Sequence, residues 1–445
     1  MADGRDGIPP GQPNKHKDSK RALANENRLV ALGEAVDRES GVERKHRRAR
    51  PGRRRRRILI ALVTVLVLIA GVFGGSYLYA NYRFDQIPKV KVAGELPQLS
   101  GKPFNILEIG SDSRVGLTGK VAVATGASSV SGQRSDVVKI MHIDPAAGTI
   151  TVLSIPRDTM VTLLANQSLY GNYNRINVNF ANGPSLLAQT ITANFGIPIQ
   201  HVVVVSFAGL INSVDAIGGI YLDFRYPAKD DYSGLNIKTT GCQLVTRFQA
   251  LAVARSRHYE WFQNGVWNYD PTSDFGRIFR QDAFMRAIIN RVRGIYNPLT
   301  INAFLSKIPQ GITLDDNFTL NDLLELVVKF HGMNPNAMLT YTLPTLSATN
   351  ASLGDVLFVD QPAAQQMLVG LYGNTLLTPT NPPPNAQLQT PLPPAVATTT
   401  STTTTTRAPT TSEKSTGTTT TTLPTNPVPG STQAIPPYDP VPCAP

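Results

Sequence analysis

Short apolar runs alternate with amphipathic segments in the middle of the chain. Runs rich in Val, Ile and Leu are typical of buried β-strands, and four of them lie at Asn105–Gly110, Val137–Ile143, Ile150–Ile155 and His201–Ser206. Apolar residues at helical spacing predict helices at Pro184–Phe195, at Phe275–Gly294, and from about Asn321, where Thr319 or Asn321 is the candidate cap. Strands that alternate with helices predict an α/β domain in which helices cover a sheet.

A much longer apolar run precedes this domain. Ile58–Ala80 contains 23 residues without a charge, enough for a helix to span the roughly 30 Å hydrocarbon core of a membrane. The basic segment Arg53–Arg57 comes directly before it, and the positive-inside rule then predicts a cytoplasmic N-terminus. A cleaved signal peptide fits less well, because the run is too long and starts too late.

The two ends of the chain differ in composition from its middle. Residues 1–57 contain few large apolar side chains and are expected to be a disordered cytoplasmic tail. Residues 81–101 are interpreted as a stalk and residues 102–377 as the globular, extracytoplasmic domain. Residues 378–445 are rich in Pro and Thr, which predicts a disordered tail. Its composition suits a glycosylated spacer and a plain solvated linker equally.

The positive charge is concentrated in the N-terminal tail. The chain has a formal net charge of +11, but residues 1–57 alone hold 17 Lys and Arg against 8 Asp and Glu. The remaining residues are close to neutral, which argues against nucleic acid as a partner. The two cysteines are Cys242 and Cys443. Outside the cytoplasm they can form a disulfide, although two unrelated thiols remain the alternative.

Arginine and aspartate recur together at the ends of the predicted strands. Asp112 follows the first strand, Arg134 and Asp136 open the second, and Arg157–Asp158 follow the third. Functional groups in α/β proteins gather at strand ends. More residues of this kind occur later in the chain: Arg255, Arg257, Asp274, Arg277 and Gln281.

This combination of residue types suits a diphosphate held with a metal ion. Arginine pairs with phosphate oxygens through two-point contacts, and converging carboxylates suit Mg²⁺. Asp274, Arg277 and Gln281 share one face of their predicted helix. Structural roles compete with this interpretation: turn caps for Asp112 and Asp136, a structural ion pair for Arg157–Asp158, a solvated face for the other arginines, and a helix cap for Asp274.

Other signatures of chemistry are missing or weak. The sequence contains no phosphate-binding P-loop, no Ser/His/Asp signature and no Cys/His spacing suited to zinc. Aromatic residues cluster between the last two arginine segments, at Tyr259, Trp261, Trp267 and Tyr269. They suit either stacking on sugar rings or the packing of a loop against the domain.

Seven segments in order resemble the LytR-CpsA-Psr family of cell-wall enzymes over residues 102–345. They read NILEIGSDSR, RSDVVKIMHID, LSIPRDT, INVNFANG, VDAIGGI, RFQALAVARSRH and SDFGRIFRQ. The resemblance implies a central mixed sheet flanked by helices, with an apolar channel for a polyprenyl chain. It also implies a phosphotransferase that moves a glycopolymer phosphate from a polyprenyl diphosphate carrier to peptidoglycan, with pyrophosphatase activity as a side reaction.

The resemblance also implies roles for single residues. Asp112 and Asp136 are expected to hold Mg²⁺, with Mn²⁺ as the alternative ion. Catalysis is expected to involve Arg157, Asp158 and Asp136, with Asp136 or Asp158 as candidate proton acceptor and Asp158 also orienting Arg157. The diphosphate is expected to be bound by a larger set: Arg134, Arg157, Arg255, Arg257, Asp274, Arg277 and Gln281.

Two departures and two rival functions complete the sequence interpretation. Val115–Gln133 is an insertion that suits a mobile lid or a dispensable loop, and Thr246–Arg247 replaces the small residue and glycine usual in the family. A non-catalytic polyprenyl-phosphate carrier or regulator is the main alternative, and a stalked adhesin is a third. Arabinogalactan, teichoic acid and capsule polymer all remain open as the glycan.

Overall fold

The computed structural model describes residues 15–39, 51–98, 101–114, 117, 134–294, 298–373, 387–388 and 435–444. The chain forms two compact units, residues 1–75 and 76–445. Two helices begin the chain, α1 at Lys15–Glu39 and α2 at Pro51–Phe84. Within α2, the stretch Arg55–Phe84 is long and apolar enough to cross a membrane.

The N-terminal tail is more regular than the sequence interpretation had it. A helix, α1, lies within the N-terminal tail for which the sequence predicted disorder. This segment is rich in Ala, Leu, Arg and Glu, which favour helix formation without burial, and the side chains of residues 24–36 are exposed.

Within the described residues, seven strands form a mixed central sheet in the order β1-β14-β7-β2-β3-β4-β15. Their bounds are β1 Lys89–Val90, β2 Phe104–Ser111, β3 Ser135–Asp144, β4 Thr149–Ser154, β7 His201–Ser206, β14 Ile312–Asp315 and β15 Leu339–Thr342. The β2–β7 pair is parallel, and β3 is antiparallel to both β2 and β4. All four strands that the apolar runs predicted belong to this sheet.

Smaller sheets and pairs surround the central one. Their strands are β5 Met160–Thr162, β6 Tyr173–Arg175, β8 Ile220–Phe224, β9 Ala228–Asp230, β10 Leu235–Ile237, β11 Gly241–Val245, β12 Glu260–Gln263, β13 Val266–Tyr269, β16 Thr345–Asn350, β17 Gly354–Val359, β18 Gln387–Leu388 and β19 Val441–Pro442. The further helices are α3 Gln167–Tyr170, α4 Pro184–Phe195, α5 Phe207–Ala216, α6 Arg247–Arg255, α7 Asp274–Val292, α8 Pro298–Lys307, α9 Leu320–Phe330 and α10 Gln361–Tyr372. Short 3₁₀ helices lie at Ile176–Asn182, Ile308–Gln310 and Pro335–Ala337.

The helices follow from local sequence signals. The predicted helix Pro184–Phe195 is confirmed as α4. Thr319 caps α9 in a capping box with Asp322, which settles the choice of cap that the sequence left open. The helix predicted at Phe275–Gly294 is α7, and Asp274 is its first residue; Ser273 takes the cap position instead.

Apolar residues pack on the central sheet and around α7. One core joins sheet residues such as Leu107 and Val202 to Leu187 and Ile191 of α4. A second core joins Ile220, Leu222 and Val253 to Phe284 of α7, so α7 is fixed by its apolar face. The α/β class with a mixed sheet and flanking helices is confirmed, and the polyprenyl channel stays a prediction.

The stalk prediction for residues 81–101 is wrong for most of that segment. Phe84 and Ile87 are buried in an apolar cluster with Phe318, and β1 pairs with β14 at the end of the central sheet. The segment is short and polar enough to resemble a linker, but its few apolar residues have partners far along the chain.

The prediction of a disordered C-terminal tail is wrong for residues 435–444, which we call the C-terminal strap. Its strand β19 pairs with β8, and Cys443 forms a disulfide with Cys242. Asp439 is 3% exposed. Most of the Pro/Thr-rich tail, and all of the insertion Val115–Gln133 except residue 117, lie outside the described residues.

Candidate functional site

The direction of the central strands brings the predicted site residues to one edge of the sheet. Because β2 runs parallel to β7 and β3 runs antiparallel to both its neighbours, the ends of β2, β4 and β7 meet the start of β3. Ser111 at the end of β2 lies opposite Ser135 of β3 on one side and Ser206 of β7 on the other. Asp112, Asp136 and Arg157 therefore share this edge.

Asp136 is held by two arginines from different elements. Arg157 Nη1 lies 2.5 Å from Asp136 Oδ1, and Arg277 Nη2 on α7 donates to the backbone carbonyl of Asp136 at 2.7 Å. Burial disfavours the charged carboxylate, but the positive charges of Arg277 and Arg157 outweigh it and lower the pKa of Asp136. Asp136 is therefore an anion at neutral pH and links the sheet to α7.

Asp274 gathers three guanidinium groups at the start of α7. Its Oδ1 lies 3.0 Å from Arg277 Nη2, 3.1 Å from Arg257 Nε and 3.9 Å from Arg157 Nε. Arg157 is shared with Asp136 and Asp158, so the carboxylates hold the guanidinium groups close together, in positions from which they can pair with phosphate oxygens. The predicted one-face spacing of Asp274 and Arg277 is confirmed by their direct contact.

Asp158 lies between two arginines. Arg157 Nε is 3.5 Å from Asp158 Oδ2, and Arg175 Nε is 3.2 Å from Asp158 Oδ1. The structural ion pair that the sequence offered as an alternative is therefore present, and it fixes the direction of the Arg157 side chain. Arg175 was missed by the sequence interpretation, because it precedes a 3₁₀ helix rather than following a predicted strand.

The other predicted residues border the same site less directly. Gln281 Nε2 donates to the carbonyl of Ala254 at 3.0 Å, which ties α7 to α6. The Arg255 guanidinium lies 5.1 Å from the ring centre of Phe207. Burial lowers the pKa of Arg255, and the nearby positive charge of Arg114 adds to this effect. Arg134 has an exposed side chain, and its backbone N–H donates to Asp112 Oδ1 at 2.8 Å.

Five of these groups line a small pocket together with apolar side chains. Its lining is Asp136, Val137, Val138, Lys139, Ser154, Ile155, Arg157, Asp274, Arg277, Ile278 and Gln281. Among the lining residues, Lys139 has a buried ammonium group that contacts Asp282 of α7 and lies 2.9 Å from Ser154 Oγ. The lining combines two arginines, Arg157 and Arg277, with four aliphatic side chains, a mixture that suits an amphiphilic phosphate.

A fully buried arginine, Arg280, connects the segments that carry the site residues. Arg280 Nη1 lies 2.9 Å from Asp270 Oδ2 and 2.6 Å from Asp439 Oδ1, and its Nη2 donates to the carbonyl of Ser256 at 3.0 Å. Ser256 lies between the two arginines of its segment, so Arg280 connects α7, that segment and the C-terminal strap. The sequence gave no sign of this link, because Asp439 is 159 residues from Arg280.

The close packing around Arg280 also explains a glycine. A Cβ on Gly276 would lie 2.2 Å from Asp270 Oδ2 and 2.5 Å from Thr272 Oγ1. Any larger residue would push the start of α7 away from Asp270. Gly276 therefore lets α7 begin close enough to place Asp274 and Arg277 at the pocket.

Asp112 and Asp136 have the chemistry of a divalent-cation site. Burial raises the pKa of Asp112, and the negative charge of Asp136 adds to this effect, so the two carboxylates repel each other. A cation between them would relieve that repulsion, and Mg²⁺ commonly takes one or two protein carboxylates and completes its shell with water and phosphate. Among the described residues no group of three or more acidic, His or Cys side chains is suited to a metal. The donor set thus fits a site that shares its ion with the substrate.

We expect Asp136→Asn to lower the pKa of the Asp112 carboxyl. The substitution removes the repelling charge and leaves the positive charges of Arg157 and Arg277 uncompensated nearby. Carboxyl ¹³C chemical shifts followed through a pH titration, in metal-free buffer, give the value directly. Asp144→Asn, at the far end of β3, is the control that keeps both site charges. An unchanged or higher Asp112 pKa in Asp136→Asn would show that the two carboxylates do not interact.

Comparisons with known proteins agree on one family. The model of the LytR_cpsA_psr family matches residues 80–371. The chain is 28% identical over 314 residues to the probable cell wall biosynthesis protein LcpB of Corynebacterium glutamicum, covering 69% of this chain and 68% of that protein. It is 27% identical over 313 residues to the polyisoprenyl-teichoic acid–peptidoglycan teichoic acid transferase TagV of Bacillus subtilis, covering 67% and 71%. The fold is shared with the crystal structure of protein gbs0355 from Streptococcus agalactiae, at a TM-score of 0.50 and 19% identity, covering 62% of this chain and 92% of that one.

Proposed function

This chain belongs to the LytR-CpsA-Psr family, and on that premise we propose that it transfers a glycopolymer phosphate from a polyprenyl diphosphate carrier onto peptidoglycan. The observation that carries the proposal is the arginine cluster around Asp274, of which Arg157 and Arg277 line a pocket together with aliphatic side chains. A prenyl diphosphate likewise combines a negatively charged head group with an apolar chain.

The printed names of the relatives support a role in the cell wall. TagV is named as a transferase of teichoic acid to peptidoglycan, and LcpB as a probable cell wall biosynthesis protein. We carry over the class of reaction and leave the glycan open, since identities below 30% do not fix a substrate.

The arginines have the geometry to bind and orient the donor. Arg157, Arg257 and Arg277 approach one another through Asp274, so a diphosphate can exchange their contacts with that carboxylate for its own oxygens. In the transfer, the acceptor hydroxyl forms a bond to the phosphorus that carries the glycan, and the bond to prenyl phosphate breaks. Positive charge held in place stabilises the negative charge that develops on the departing phosphate.

Each aspartate has a separate proposed task. Asp112 and Asp136 would hold Mg²⁺ or Mn²⁺, and the ion would supply further charge neutralisation at the phosphate. Asp158 orients Arg157 between two arginine contacts. Asp136 and Asp158 are the candidates to accept the proton of the attacking hydroxyl. When water takes the place of that hydroxyl, the same arrangement hydrolyses the diphosphate.

We also propose that α2 anchors the protein in the cell membrane as a single pass. Its apolar stretch Arg55–Phe84 is long enough to span, and the basic residues before it place the N-terminus in the cytoplasm by the positive-inside rule. The domain that carries the pocket would then face the cell wall, where both peptidoglycan and lipid-linked glycans are accessible.

We expect the full-length protein to release polyprenyl phosphate from a synthetic polyprenyl diphosphate glycan when peptidoglycan fragments and Mg²⁺ are present. Asp112→Asn should reduce this release at least 100-fold, and EDTA should reduce the wild type to a similar level. Chromatographic detection of the released lipid, with Asp144→Asn as control, measures both effects. Binding of the lipid without any release would overturn the proposal in favour of a non-catalytic carrier.

A further inference from the structure

An exposed group of aromatic side chains lies on the hairpin β12–β13. Within it, Glu260 faces Tyr269 and Phe262 faces Trp267 across the two strands, so these four side chains share one face of the hairpin. Phe262, Trp267 and Tyr269, which we call the aromatic face, are 38%, 45% and 51% exposed. The rings of Phe262 and Trp267 are 5.4 Å apart.

Packing of the hairpin explains its other aromatic residues but not these three. Trp261 points to the opposite side, where its ring stacks on Tyr438 of the C-terminal strap at 4.0 Å and 3°. Tyr259 is fully buried, and its hydroxyl donates to the carbonyl of Tyr438 at 3.1 Å. The hairpin is thus fixed to the domain by Tyr259 and Trp261, whereas the three rings of the aromatic face remain more than a third exposed.

His258 links the aromatic face to the arginine cluster. Arg257, which contacts Asp274 at 3.1 Å, is followed by His258. Asp230 Oδ2 accepts hydrogen bonds at 2.9 Å from the backbone N–H groups of both residues, so their positions are linked. The His258 ring is 6.5 Å from that of Tyr269, so the residue next to Arg257 lies near one ring of the aromatic face.

The charge on this face indicates what kind of ligand it accepts. Lys229 Nζ lies 3.1 Å from Glu260 Oε2 and 4.8 Å from the ring centre of Trp267. The two charges neutralise each other, so the face presents polar groups without a net attraction for a polyanion. A neutral ligand with apolar faces and hydrogen-bonding edges fits this arrangement, and sugar rings in the pyranose form have those properties.

We propose that the aromatic face binds the acceptor, through the N-acetylated pyranose rings of a peptidoglycan glycan strand. This inference rests on the proposed function. Trp267 and Tyr269 are two residues apart on one strand, about 7 Å along it, so adjacent sugar rings can stack on both. The acceptor sugars have no phosphate for the arginines to hold, and aromatic stacking supplies affinity where charge does not.

The test uses the intrinsic fluorescence of the full-length protein in detergent micelles. The chain has two tryptophans, so Trp261→Phe leaves Trp267 as the single reporter beside the proposed site. We expect chitohexaose to shift its emission, and Tyr269→Ala in the same background to weaken the affinity at least tenfold. Phe248→Ala removes a ring that is 49% exposed elsewhere and should leave the affinity unchanged.

A second readout separates acceptor binding from donor chemistry. The double variant Trp267→Ala/Tyr269→Ala, in which Trp261 is retained, should raise KM for peptidoglycan fragments at least tenfold. The rate at which water releases the lipid from the donor should stay unchanged. Equal chitohexaose affinity in the double variant and the wild type, measured by calorimetry, would overturn the inference. So would tighter binding of poly(glycerol phosphate) that the double variant loses, since a polyanionic donor would then occupy the face.

The outcomes also distinguish this inference from the proposed function. If the wild type binds chitohexaose through Trp267 but never releases polyprenyl phosphate, the transfer proposal fails and the sugar-binding face stands. If transfer proceeds equally well in the wild type and the double variant, the inference fails and the transfer proposal stands.

Discussion

Arg157→Ala is expected to lower the rate of glycan transfer about 10³-fold or more, in the range seen when a charge-stabilising arginine is removed from a phosphoryl-transfer site. Arg157 contacts Asp136 at 2.5 Å and lies within 4 Å of Asp158 and Asp274. Its loss removes a phosphate ligand and also leaves three carboxylates with less positive charge around them, which further repels the donor.

The measurement is kcat/KM for lipid release, with circular dichroism confirming that each variant is folded. Arg157→Lys keeps the charge but loses the planar two-point contact, so an intermediate loss is expected. Arg225→Ala, at an exposed arginine beside Tyr226, is the matched control. Activity of Arg157→Ala within twofold of the wild type would show that the arginine cluster is not where the diphosphate binds.

Cys443→Ser is expected to lower the free energy of unfolding by about 3–5 kcal/mol, because the disulfide closes a loop of some 200 residues in the unfolded chain. The C-terminal strap then depends on β19, on Asp439 and on the contacts of Tyr438 with Tyr259 and Trp261. Burial, only partly opposed by Arg280, raises the pKa of Asp439 to about 6, so its carboxylate is costly to keep buried. Loss of the strap would leave Arg280 with Asp270 as its remaining carboxylate contact among the described residues.

Urea denaturation followed by circular dichroism measures this effect. Wild-type protein in reducing buffer should lose the same stability as Cys443→Ser, and Cys242→Ser/Cys443→Ser should match the single variant, because each lacks the same bond. Equal stability of reduced and oxidised wild type would show that the disulfide contributes nothing to the stability of the domain.

Four of the seven strands of the central sheet were predictable, because β2, β3, β4 and β7 appear in the sequence as short apolar runs. The other three strands, β1, β14 and β15, were not predicted. The approximate place of the site was also predictable, since Asp112, Asp136 and Arg157 adjoin those runs. Their convergence depended on β3 being antiparallel to β2, which no local pattern determines. Asp274 shows the same limit, because its spacing predicted a shared face with Arg277 but not its contact with Arg257.

The parts that were missed depend on contacts between distant segments. Arg280 resembled any other arginine of an amphipathic helix until Asp439 provided its partner. The strap follows a low-complexity tail, and composition alone assigned it to that tail. Phe84 and Ile87 were lost within a segment interpreted as a stalk for the same reason. Local pattern identifies strands and helices, whereas these residues acquire their role only from the folded chain.

The bond between Cys242 and Cys443 attaches the Pro/Thr-rich segment covalently to the domain at both of its ends. Residues 374–434 have one end after α10 and the other before the strap, and the strap is bonded to β11. A protease that cuts once in this segment therefore yields two fragments that stay joined. The nicked protein keeps its mass until it is reduced, and Asp439 stays beside Arg280. The tail can therefore be cleaved without the domain losing the strap, whose Asp439 contacts Arg280 of α7.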